Sequence, residues 1–180
     1  MLTEKKLFKK YPELFAQRKL PMTQTAMCWE IDISPGWYEL LDSVCNYITS
    51  NFKNNWMFYP PIQFTQVKEK FGSLRIYYTI NHRTKKEFDK LMKNELINFK
   101  FPKWKLLLDK YLGTSFRYNK YIDDCNKGSA CFEGAIELAE DLSSKICEMC
   151  GQPGKLLTKG WYITLCDQCN KKRKKLDEKN

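Results

Sequence analysis

Four cysteines near the C-terminus constrain this chain more than any other feature. Two residues separate Cys147 from Cys150 and Cys166 from Cys169, and fifteen residues lie between the two pairs. A C-x2-C turn bends back on itself, so two thiolates can meet one small cation while backbone N–H groups turn toward the sulfurs. Two such pairs complete a tetrahedral set of soft donors, which favours zinc. Between them, "KLLT" and "WYITL" flank Lys159-Gly160 and read as a hairpin. Residues 146–170 therefore predict a zinc ribbon with Cys147, Cys150, Cys166 and Cys169 as ligands. Four thiolates leave no coordination position for water, so this zinc is expected to be structural. An iron–sulfur cluster would use the same donors, but the spacing favours zinc.

The 180 residues are enough for one domain with a real core plus a small appendage. Aromatic residues make up 14% of the chain and apolar ones are spread along it, which argues for a folded protein. No apolar run approaches the ~18 residues needed to cross a bilayer. The N-terminal "MLTEKKLFKKYPELF" has no continuous apolar stretch of the kind that marks secretion. A cytoplasmic location is the expectation, and there closely paired cysteines are reduced metal ligands rather than disulfides.

Periodicity supplies the rest of the fold. Residues 1–20 read as a short amphipathic helix interrupted near Pro12. Ser34-Pro35-Gly36 looks like a helix start, with Ser34 as N-cap and Pro35 in the first turn. Trp37, Leu40, Leu41, Val44, Cys45 and Ile48 then form one apolar stripe. "IQFTQVKEKFGSLRIYYTI" reads as two strands around Gly72. In the second, Leu74, Ile76, Tyr78 and Ile80 alternate with Arg75, Tyr77 and Thr79. A helix at about 130–145 turns Ile136, Ala139 and Leu142 inward. The expected fold is α+β: a small antiparallel sheet packed by helices, followed by the ribbon. The α+β domain covers residues 1–145, with a helical insertion at about 81–130, and a basic tail covers 171–180.

The formal net charge is +10, and residues 81–130 carry 12 Lys+Arg against 6 Asp+Glu. A basic surface suits an anionic partner, although a solvated lysine-rich face explains the same numbers. Lys171, Lys172, Arg173, Lys174 and Lys175 are candidate contacts to nucleic-acid phosphates. Catalysis has little to work with. His82 is the only histidine and sits in a polar, turn-like stretch. No zinc-deaminase, phosphate-loop or nucleophile-elbow signature occurs, so an enzyme is not expected. Glu137, Glu140 and Asp141 read as a solvated acidic face. Cys45 reads as a core thiol, and Cys28, Cys45, Cys125 and Cys131 match no compact motif for a second metal.

Three blocks, "PMTQTAMCWEIDISPGWYELLDSVC", "FTQVKEKFGSLRIYY" and "AEDLSSKICEMCGQPG…GWYITLCDQC", occur here in one order. In this combination the chain resembles a family of small, uncharacterised proteins encoded by phages and prophages that end in a four-cysteine ribbon. The resemblance spans residues around 11–80 and 133–170. It implies a phage setting and hence a host-cell cytoplasm, and carries no activity residue by residue.

Outside the ribbon, Trp29, Glu30, Asp32 and Trp37 lie close in sequence, and Lys68, Arg75 and Tyr77 share one hairpin. Arg and Lys grip phosphate, while Tyr and Trp stack on bases. A ligand pocket of Arg75, Tyr77, Lys68, Trp29 and Asp32 is therefore expected for an anionic nucleotide. A solvated hairpin with the tryptophans as core anchors is the plainer alternative. The resulting expectation is a non-enzymatic phage-type binder of a phosphate-bearing ligand, a nucleotide signal or nucleic acid, that counteracts host immunity by sequestration. The alternative is a protein–protein inhibitor or adaptor docking on a host protein through the ribbon and inserted helices. Self-association is left open.

Overall fold

The computed structural model describes residues 2–54, 62–81, 84–90, 118–119, 122–123, 126 and 129–177. His82, Cys125 and most of the proposed insertion lie outside the described residues. Helix α1 (Glu4–Lys10) starts at Thr3, whose hydroxyl accepts from the Lys6 N–H, and ends at Tyr11. Pro12 follows, and the residue before a proline is disfavoured in helical conformation. Strand β1 (Ile31–Asp32) is short. A 3-10 turn at Pro35–Trp37 then leads into helix α2 (Tyr38–Asn54). Ser34 precedes that turn, but its hydroxyl makes no capping bond and turns instead toward Glu148.

Strands β2 (Ile62–Lys70) and β3 (Ser73–Ile80) pair antiparallel, with a register shift between Phe64 and Gln66. β1 joins β2 in parallel, giving the order β1-β2-β3. The sheet is thus mixed, not purely antiparallel as expected. A parallel pair needs a crossover connection, and α2 lies in that connection. Cross-strand partners define two faces. Ile31, Val67 and Ile76 form one row on the core side, and Asp32, Lys68 and Arg75 form the adjacent row on the other. The core also takes Leu7, Phe8 and Phe15 from the N-terminal segment and Trp37, Leu41, Val44, Cys45 and Ile48 from the α2 region.

Residues 85–90 form helix α3, whose Phe88 packs on Tyr118 and Ile122 in a cluster separate from the main core. Residues 129–143 form helix α4, which buries Phe132, Ile136, Ala139 and Ser143. Leu142 is 39% exposed, so the inward position expected of it belongs to Ser143. Its role is polar. Among the described residues β3 is an edge strand, and the Leu74 N–H donates to Ser143 Oγ at 2.8 Å. The Ile76 N–H donates to Glu140 Oε1, also at 2.8 Å. Glu140 and Ser143 stand three residues apart, one helical turn, so one face of α4 satisfies two outward donors of the strand and covers the edge. Glu140 is therefore structural and not the solvated charge expected from the sequence.

Glu140→Ala is expected to destabilise the protein by about 1–3 kcal/mol, because it strips a partner from the Ile76 amide. Urea unfolding of this variant beside Glu137→Ala, which should lie within about 0.5 kcal/mol of wild type, measures the difference.

Candidate functional site

The ribbon hairpin pairs β4 (Lys155–Leu157) with β5 (Ile163–Leu165), in the register Leu156↔Thr164. Both cysteine turns converge at its base. The sulfurs of Cys147, Cys150, Cys166 and Cys169 lie within 4.8 Å of one another, close enough to bind a metal ion. Cys150 and Cys166 stand 3.7 Å apart. In the second turn the Cys169 N–H donates to Cys166 Sγ at 3.4 Å. That bond, with the neighbouring thiols, pulls the Cys166 thiol down to about 7. This is the only cluster of metal-ligating side chains among the described residues. Cys28 instead donates to the Thr25 carbonyl, Cys45 is fully buried, and Cys131 is exposed. Burial pushes the Cys45 thiol well above its ordinary value, as expected of a core thiol.

The ribbon is bound to the body of the protein at two places. At the first, the Gly36 N–H donates to the Glu148 carbonyl at 2.7 Å and Trp37 Nε1 donates to the Ile146 carbonyl at 2.7 Å. A Cβ on Gly36 would lie 2.3 Å from the Cys147 oxygen, so only glycine permits this approach. Trp37 is completely buried, which makes it a core anchor and not a ligand contact. At the second, Thr164 Oγ1 donates to the Gly72 carbonyl at 2.6 Å beneath the β2–β3 turn. A Cβ on Gly72 would meet Leu156 at 2.3 Å.

Glu148, inside the first cysteine turn, escaped the sequence reading. It is 7% exposed, and burial, then Glu69, raise its carboxyl above the usual range. Ser34 Oγ lies 3.5 Å from its Oε1, and Arg173 is close enough to favour its charged form. Arg173 Nε is itself buried. Helix α5 (Asp167–Asp177) starts inside the second cysteine pair and absorbs most of the expected basic tail. Lys171, Lys172, Lys174 and Lys175 are exposed on it, whereas Arg173 is half-buried with its Nε buried, so it is not exposed with the other four expected phosphate contacts.

The expected nucleotide pocket is only partly assembled. Asp32, Lys68 and Arg75 share a row across the sheet, and Tyr77 lies beside them. Lys68 Nζ sits 5.4 Å over the Tyr77 ring. Arg75, however, donates to Glu140 Oε2 at 3.2 Å and to the Leu74 carbonyl at 3.0 Å. Its guanidinium is already engaged within the protein. Trp29 is 65% exposed, and no hydrogen bond or ring contact joins it to Arg75 or Tyr77. The Arg75–Glu140 pair spans 65 residues, so no local pattern announces it.

Comparison of the chain with protein-family models, curated proteins and solved structures finds no match. No helix among the described residues is long and apolar enough to cross a membrane.

Gly36→Ala is expected to force the first cysteine turn away from the body. Overpacking of this kind costs roughly 1–3 kcal/mol. Thermal unfolding should report the loss, and competition with a chelator should show weaker metal binding.

Proposed function

We propose that this is a non-enzymatic binding protein for a phosphate-bearing ligand, and that the ligand is a nucleic acid rather than a free nucleotide signal. The observation that carries the reading is the set of four exposed lysines on α5, a helix that begins at the metal-binding cysteines. A rigid cationic helix suits a polyanion, because each ammonium acts as a point charge toward a phosphate and needs no pocket. A mononucleotide would need a directed grip, and Arg75, the best candidate for it, is held by Glu140.

The metal in this reading is zinc. Tetrahedral Zn–S bonds of about 2.3 Å put sulfurs about 3.8 Å apart, and the Cys150–Cys166 separation of 3.7 Å fits that geometry. Four thiolates close the coordination sphere, so the ion supplies stability, with a binding energy of roughly 10 kcal/mol coupled to folding. On the resemblance of its sequence blocks, we place the protein in a phage setting and in the host cytoplasm, with sequestration of a host-defence nucleic acid as its purpose. Docking on a host protein is the second reading, favoured by the exposed Trp161 on the ribbon hairpin.

Metal analysis of protein purified under reductant should find about one zinc per chain. Replacing Lys171, Lys172, Lys174 and Lys175 with Gln should flatten the dependence of log affinity on log salt by about 3 for a single strand. An unchanged slope would remove α5 from the interface, and no binding at low salt would remove nucleic acid as the ligand.

A further inference from the structure

Among the described residues, packing does not account for four aromatic side chains, two on the β2–β3 hairpin and two on the ribbon hairpin. Phe71 is 65% exposed, Trp161 is 78% exposed, and Tyr77 and Tyr162 are each more than two-fifths exposed. Phe71 occupies the first central position of the β2–β3 turn with φ of 55°, and Gly72 follows with φ of 72°. Paired positive φ values mark the hairpin turn that prefers Asn-Gly or Gly-Gly. A phenylalanine is therefore held where its backbone is disfavoured and its ring gains little from burial. The ring meets Tyr162 edge-on, with centroids 6.2 Å apart. Together with the Gly72 contact to Leu156, this makes the turn and the ribbon hairpin one continuous surface.

Cations accompany the rings. Lys70 Nζ lies 5.3 Å over Phe71, and Lys68 Nζ lies 5.4 Å over Tyr77. The two lysines stand two residues apart on β2, so they share its outer face. Lys155 and Lys159 are exposed on the ribbon hairpin, and Lys155 pairs with Asp167 at 3.2 Å. Asp32, on β1, is the acid in register with Lys68.

We infer that Tyr77, Phe71, Tyr162 and Trp161, with Lys68 and Lys70, form a stacking surface for single-stranded nucleic acid. The inference deepens the proposed function and rests on its nucleic-acid reading. Every unpaired base offers a π-face to an aromatic ring, and the adjacent phosphate accepts from an ammonium, so alternating rings and lysines suit a strand of any sequence. A duplex keeps its base faces stacked inside and gains only the ionic contacts. An apolar protein partner would have to bury more lysines than the neighbouring acids Asp32, Glu69 and Asp167 can offset, which is costly. Lys68, Lys70, Lys155 and Lys159 outnumber Asp32, Glu69 and Asp167, of which Glu69 accepts from the Gly72 N–H in the same turn, and this small positive excess favours the polyanion.

The test uses the full-length, zinc-loaded chain. Its affinity for a fluorescent oligothymidylate of about 20 nucleotides and for a duplex of similar length is read by anisotropy at about 50 and about 200 mM salt. Wild type should prefer the single strand. Phe71→Gly combined with Trp161→Ala should weaken single-strand binding by roughly 5- to 100-fold, with duplex binding and the salt slope little changed. Folding should survive, because Gly fits the left-handed position and Trp161 is mostly exposed; zinc content and the melting temperature check this. Should the double variant fail to fold, Trp161→Ala alone should still weaken single-strand binding severalfold. Unchanged single-strand affinity in a folded variant overturns the stacking surface and leaves the nucleic-acid reading standing. Equal losses on both probes overturn the preference for single strands. If wild type binds neither probe, both readings fail and docking on a protein takes their place.

Discussion

Where the backbone of Gly36 meets the carbonyls of Cys147 and Glu148, two distant parts of the chain touch with no side chain between them. The neighbouring indole of Trp37 lies fully buried and donates to Ile146 one residue before the first cysteine. A metal that closes the four thiolates fixes the carbonyls these donors need. The binding energy of such a metal would therefore be coupled to the core through Trp37, at the entry to α2. That helix lies in the crossover between β1 and β2, so the contact joins the cysteine cluster to the connection that the parallel pair requires.

A second constraint comes from the free edge of β3. A strand edge leaves N–H groups pointing away from the sheet, and such groups must find water or a partner. Here α4 supplies Glu140 and Ser143. The same carboxylate that accepts from Ile76 also takes Arg75. This arrangement bears directly on function. The most capable phosphate-gripping side chain of the hairpin is committed to holding the fold, and the accessible positive charge passes to lysines. On the proposed function, lysines spread over a helix and beside exposed rings would recognise a polyanion by charge and stacking, not by a closed, directional pocket.

Much of this was legible in the sequence, and for local reasons. The C-x2-C spacing is a property of one turn, so the clustering of Cys147, Cys150, Cys166 and Cys169 could be read without knowing the fold. The stripe from Trp37 to Ile48 and the alternation of β3 follow from helix and strand repeats; the stripe packs inward, and the alternation holds for Leu74 and Ile76 but fades toward Ile80, where Tyr78, Thr79 and Ile80 are all half-buried. Polar residues with apolar-like burial were misread. Ser143 lies where the stripe of α4 predicted Leu142, because hydrophobicity ranks Leu above Ser and says nothing of a strand edge waiting for an acceptor. Arg173 stands in the sequence as one of five phosphate contacts and Glu148 carries no signal there, yet Glu148 is buried, with Arg173 close by and its Nε buried too.

By itself the sequence determined α2, the two hairpins, the four-cysteine cluster and the excess of positive charge, since each depends on spacing or composition within a segment, whereas the parallel β1 and the helix of the basic tail were not legible. Tertiary structure decided which charges remain available. Arg75 and Glu140, or Gly36 and Glu148, meet only after the chain has folded over 65 and more than 100 residues. No short-range pattern encodes such a pairing. It emerges from the need to satisfy a strand edge and to seat a metal-binding turn against a packed core. The exposure of Phe71 and Trp161 is decided in the same way, because burial is a property of what packs above a residue and not of the residue itself.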